Sequence, residues 1–158
     1  MHTQFVNGIT IRPLRNGDTT AVEALFARLG PQSRVHRFGG AKPRLSEAEL
    51  EALAAVDGTH HVLVAYVDGD PAPAAIARLV RNGSEAEVAF AVADEYQRRG
   101  IGSVLLRELA ATARAAGVER LHATIRGDNP AAVSLLRRCA RAIDVRFAGG
   151  EREVVVAL

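Results

Sequence analysis

The stretch Asp94–Ala110, DEYQRRGIGSVLLRELA, sets two arginines and two glycines directly in front of a helical run. Ile101, Val104, Leu105, Leu109 and Ala113 recur at the helical period and define one apolar face, on a helix that Gly117 ends. Just upstream, EVAFAV (87–92) reads as a strand. A strand that hands over to a helix through glycine presents free backbone N–H groups at the positive end of the helix dipole, which is an anion site. Gly100 and Gly102 leave no side chain between that backbone and a phosphate, and Arg98 and Arg99 add charge-assisted donors. The local chemistry indicates a pyrophosphate.

The two common glycine-rich phosphate loops do not fit. A Walker loop needs Gly-Lys-Ser/Thr, and no lysine stands here. A dinucleotide fingerprint needs a third small residue where Leu105 stands, and needs to follow the first strand of a βαβ unit. Here a meander comes first: residues 60–92 give three strands broken by DGDP and RNGS.

Working outward, GITIRPL (8–14) reads as a first strand, and Asp18 caps a helix through TTAVEALFARLG that Gly30-Pro31 stops. SRVHRF (33–38) reads as a short second helix, followed by a loop through Gly39, Gly40 and Pro43. Ser46 and Glu49 have capping-box spacing and open a third helix. After the helix at 101–117, ERLHATIRG predicts a strand, NPAAVSLLRRCA a short helix, and AIDVRFAGGEREVVVAL a closing strand pair around Gly149-Gly150. The expected fold class is α/β: one domain over residues 1–158, with a mixed, mostly antiparallel central sheet of about seven strands flanked by helices.

Composition narrows the function. With 48% apolar and 24% charged residues the chain reads as a soluble globule, and no apolar run approaches the ~20 residues that span a bilayer. The N-terminus MHTQFVNGIT lacks the basic-then-apolar build of a signal peptide, and the lone Cys139 fits a reducing cytoplasm. One Cys and five scattered His give no paired metal-ligand spacing, so no metal is expected. A net charge of +2 with 4% aromatics argues against a nucleic-acid partner.

The segment VADEYQRRGIGSVLL resembles the acetyl-CoA-binding signature of the GNAT acetyltransferase superfamily, (Q/R)-x-x-G-x-(G/A), carried by Gln97, Gly100 and Gly102. The element order is similar as well, so the resemblance covers nearly the whole chain. It implies that the backbone from Arg98 through Arg99, Gly100, Ile101 and Gly102 to Ser103 wraps the pyrophosphate of coenzyme A. It also implies that Phe90, Ala91 and Val92 pair with the pantetheine arm, and that Asn129 is the asparagine of the second cofactor motif. Asn129 followed by Pro130 also reads as a helix N-cap.

Acetyl transfer to an amine requires a base for the amine, donors for the developing oxyanion, and a proton for the leaving thiolate. Glu87 is the candidate base: it shares a strand face with Ala89 and Ala91, whose small side chains leave room for a substrate. The resemblance places the oxyanion donor at a backbone N–H near Val92. The family's usual acid, a tyrosine seven residues after the asparagine, falls on Leu136, and the Gly-Phe that usually ends the motif is Ala140-Arg141. Tyr96 reads as a packing residue, Cys139 as apolar filling, and His122 and Thr124 as neighbours of Glu87 across the sheet.

The front half, with LFARL, SRVHRF and LSEAELEAL, resembles bacterial protein-lysine acetyltransferases of the Pat type. That resemblance implies a protein lysine as acceptor and acetyl-CoA as partner, and many superfamily members pair as homodimers through their C-terminal strands. Two other readings stay open: a small-amine acetyltransferase, and a module that senses acetyl-CoA without turnover.

Overall fold

The computed structural model describes residues 2–40 and 42–158, so Ala41 of the loop after SRVHRF lies outside the described residues. One eight-stranded sheet runs through the molecule: β1 (Gln4–Val6), β2 (Ile9–Pro13), β3 (His60–Val67), β4 (Ala75–Asn82), β5 (Glu85–Val92), β6 (Arg120–Arg126), β7 (Ala142–Ala148) and β8 (Glu151–Ala157). Its order is β1-β2-β3-β4-β5-β6-β8-β7, antiparallel except for the β5–β6 pair. The helices are α1 (Thr19–Ala27), α2 (Pro31–Phe38), α3 (Glu47–Ala54), α4 (Ile101–Ala115) and α5 (Pro130–Arg138), with a single 3₁₀ turn over Asp94–Tyr96.

Local sequence explains most boundaries. Asp18 accepts the Ala21 N–H at 3.1 Å to start α1, and Ser46 and Glu49 form both bonds of the capping box on α3. Helix α2 begins two residues before its expected start, because Pro31 is suited to the first helical position, and it stops at Gly39 in the left-handed region (φ 78°). The strand beyond the expected seven is β1. Asn7 (φ 47°) and Gly8 (φ 77°) are both left-handed, as a two-residue hairpin turn between β1 and β2 demands.

Strand β4 alternates buried and half-buried positions because it has a different layer on each face. Ala75, Ala77 and Leu79 pack with Ile101, Leu105 and Leu109 of α4, while Ile76 packs in a second cluster with Val22 and Phe26 of α1. Among the described residues no polar or charged residue is fully buried. Helix α4 thus lies on one face, and α1, α2 and α3 on the other.

Candidate active site

Strands β5 and β6 pair over only three positions, Glu85↔Arg120, Ala86↔Leu121 and Glu87↔His122. Beyond Glu87, β5 follows β4 as far as Val92↔Ala75, whereas β6 continues with β8 as its partner. The parting opens a cleft of about 1310 Å³. The Ala93 N–H donates to the Ala74 carbonyl at 2.8 Å, so by strand alternation Ala91 and Ala89 bond toward β4. Phe90 and Val92 therefore turn their backbone groups into the cleft, and the Val92 carbonyl accepts from Gln97 Nε2 at 3.1 Å. Of the three residues expected to meet the pantetheine arm, Ala91 can face the cleft only through its methyl group.

The cleft leads to the N-terminus of α4. Gly100 caps that helix in the left-handed region (φ 83°) with no side-chain hydrogen bond to the first turn, so the amides of Ile101, Gly102 and Ser103 have no side-chain cap. Arg98 also adopts a left-handed backbone (φ 60°), a conformation that costs a non-glycine residue about 1 kcal/mol. The two glycines do different things. A Cβ at Gly100 would meet nothing within 4 Å, so its role is conformational. A Cβ at Gly102 would stand 3.2 Å from Leu135 Cδ1 and 3.4 Å from Val92 Cγ2. Gly102 is buried, and it lets α4 pack closely against β5 and α5.

The neighbouring side chains fix this turn in place. Gln97 Nε2 also donates to Ser33 Oγ at 3.1 Å, Ser33 Oγ donates to Asp94 Oδ1 at 2.6 Å, and Asp94 Oδ2 accepts the Gly30 N–H at 3.1 Å. The motif glutamine thus ties the end of β5 to the start of α2. Tyr96 is packed beneath: its hydroxyl donates to Asp70 at 2.6 Å, and its ring carries the guanidinium of Arg99 at 5.0 Å and of Arg28 at 5.1 Å. Hydrogen bonding to Asp70 raises the Tyr96 pKa, so this phenol is a packing group with a committed proton. Asn129 accepts the Ala132 N–H at 3.2 Å as the N-cap of α5 and also lines the cleft, which leaves its amide NH₂ unused by the cap. Ser103 Oγ accepts from Arg138 at 2.9 Å, which adds a guanidinium to the mouth of α4 that the signature itself does not contain.

Glu87 is exposed on the cleft wall at the last paired position before the strands part. It shares its sheet face with Ala89 and Ala91 on β5 and with Arg78 on β4. His122 stands opposite it but leans to Glu85, 3.2 Å from Nε2 and without hydrogen-bond geometry. Thr124 donates to Glu153 at 3.2 Å. Leu136 is 1% exposed and belongs to the core, so no tyrosine-like group from that position reaches the cleft. Cys139 is half-buried, and burial raises its pKa, which keeps it a thiol. Among the described residues no three His, Cys, Asp or Glu side chains converge as metal ligands would, and no helix is long and apolar enough to cross a membrane.

A mostly antiparallel sheet that splays after one parallel pair, with an uncapped helix N-terminus at the end of the splay, is the architecture of a known family. The acetyltransferase (GNAT) family matches residues 22–140, and the chain belongs to this family of acetyl-CoA-dependent acetyltransferases. It is similar to the acetyltransferase Pat of Mycolicibacterium smegmatis, 35% identical over 132 residues, which cover 81% of this chain and 39% of that protein. It is also similar to the acetyltransferase PA5475 of Pseudomonas aeruginosa, 31% identical over 119 residues, 72% of this chain and 64% of that one. The chain therefore spans less than two thirds of the length of either relative. Among solved structures, the GNAT domain of S. lividans PAT superposes with a TM-score of 0.85 at 27% identity, over 95% of this chain and 90% of that one.

Proposed function

We propose that this chain moves the acetyl group of acetyl-CoA to the side-chain amine of a protein lysine, with Glu87 as the base. The observation that carries the proposal is the position of Glu87, on the cleft wall where β5 and β6 part. From there, the free backbone groups of Phe90 and the free N–H of Val92 lead to the uncapped amides of α4. The lysine acceptor is supported by likeness to two proteins called Pat, at 35% and 27% identity.

The residues present fit coenzyme A. The amides of Ile101, Gly102 and Ser103, the turn through Arg98, Arg99 and Gly100, and Arg138 would hold the pyrophosphate. Phe90 would bond the pantetheine arm as an added strand bonds an open edge, with Val92, Asn129 and the Ala91 methyl group alongside. Bound acetyl-CoA supplies an activated acyl carbon and a thiolate leaving group. Glu87 takes the proton of the acceptor ammonium, directly or through one water, so that the neutral amine attacks. The Val92 N–H, already directed into the cleft, donates to the oxyanion that develops as the carbonyl is attacked. No side chain from the Leu136 position protonates the thiolate, so water admitted by the open cleft does so. The same reading allows a homodimer through β7, the edge strand, where Phe147 is 78% exposed.

The test is release of coenzyme A thiol from acetyl-CoA, with soluble bacterial protein as acceptor, either native or with its lysines blocked by reductive methylation. The chain's only lysine, Lys42, is paired with Glu49, which limits self-acetylation as a background. Thiol release that needs unblocked lysines supports the proposal. Release no faster than hydrolysis with either pool removes it.

A further inference from the structure

Three arginines converge on the sheet face that carries Glu87. Arg78 lies on β4 opposite Ala89, diagonal to Glu87. Arg126 ends β6 on the face that also holds His122 and Thr124, and its Nη1 donates to the Arg37 carbonyl at 3.1 Å, which draws the last turn of α2 over this face. Arg37, Arg78 and Arg126 all line the cleft.

Two of the three have partners. Arg78 Nη2 donates to the Ala52 carbonyl at 3.1 Å, and Arg126 Nε lies 3.4 Å from Glu151 Oε1. The guanidinium of Arg37 stacks 4.8 Å from the Phe38 ring centroid but has no hydrogen bond or ion pair among the described residues. It is half-buried and lines the cleft. Burial, together with repulsion from Arg78 and Arg126, lowers its pKa to about 10, so it is still charged at neutral pH. Burial lowers the pKa of Arg78 too, with Asp57 and Glu87 opposing. A charge drawn away from water beside two like charges destabilises a fold unless an anion compensates it.

We infer that Arg37, with Arg78 and Arg126, forms a subsite for a carboxylate carried by the acceptor, close to the amine that Glu87 deprotonates. The transferred acetyl group is uncharged. The amides proposed to hold the phosphates of coenzyme A belong to α4, on the opposite face of the sheet. The acceptor is therefore the partner that can bring this anion. The carboxylate is either the side chain of an acidic residue next to the acceptor lysine or the α-carboxylate of a free amino acid. The inference rests on the transfer reading given above.

The experiment measures kcat/KM for thiol release from acetyl-CoA with two matched acceptor pairs: end-blocked peptides carrying Lys-Glu or Lys-Gln, and free lysine against lysine amide. In at least one pair the carboxylate-bearing member is expected to be better by about tenfold or more, the scale of one charge-assisted contact, and the pair that discriminates names the source. Arg37→Met is expected to bring that ratio close to one, and Arg37→Lys to restore part of it. Equal values within both pairs, or a preference that survives Arg37→Met, would overturn the subsite. If no acceptor releases thiol, the transfer reading fails, and calorimetry of N-acetylglutamate binding to the coenzyme A-loaded chain decides separately. Binding abolished by Arg37→Met upholds the subsite, and absence of binding overturns it.

Discussion

A side chain added at Gly102 would press on Leu135 and Val92, while one added at Gly100 would meet only open space. The two substitutions should therefore fail for different reasons. Gly102→Val forces α4 away from β5 and α5, and overpacking of this kind costs about 1–3 kcal/mol. Gly100→Ala leaves packing alone and costs roughly 1 kcal/mol for the left-handed backbone. Urea unfolding of both variants checks this; a Gly102→Val chain as stable as the parent would contradict the packing role. The need for glycine at both positions was legible in the sequence, but the reason at Gly102 was not, because it depends on Leu135, which α5 brings across from a distant part of the chain. Arg37 was hidden in the same way. It reads as one more surface charge on SRVHRF until α2 folds back against Arg126, 89 residues away.

At the scale of the element, the turn between β3 and β4 supports the phosphate-binding turn from below. Asp70 accepts from Arg28 at 2.6 Å and from Tyr96 at 2.6 Å, and Arg28 also pairs with Glu95. These bonds, that from Arg28 first, hold the Asp70 carboxyl well below the usual carboxylate range. A depressed folded-state pKa means stability that is present above the unfolded value, near 4, and lost as pH falls toward the folded one. Asp70→Asn is thus expected to be less stable than the parent at pH 7, with the difference shrinking steadily below about pH 4. Thermal unfolding over that range measures it, and a gap independent of pH would show that the charge is not what Asp70 contributes. Elements with a strong local signature were legible here: the capping box of α3 and the apolar stripe of α4 both appear as their residues predict. The β1 hairpin is not legible although Asn7-Gly8 is a turn signal, because its strand is only three residues long and two of the three, Gln4 and Phe5, are exposed.

Over the whole molecule, the sequence shows the order of elements but not the order of strands. Placing β8 beside β6, with β7 outside it, follows from burial. Val154 and Val156 are fully buried, as an inner strand requires, while β7 alternates with exposed Asp144 and Arg146 and suits an edge. The sequence likewise places Glu87 on a strand without showing that the strand loses its neighbour one residue later. That parting converts an ordinary sheet position into a cleft wall. The most direct test compares Glu87→Gln with the parent in two readouts, turnover with the best amine acceptor and affinity for acetyl-CoA by calorimetry. Removing a positioned base is expected to lower kcat by about 10²-fold or more while acetyl-CoA affinity stays within a factor of about two. A variant that turns over at the parent rate would contradict the assignment of Glu87 and the account of the cleft built on it.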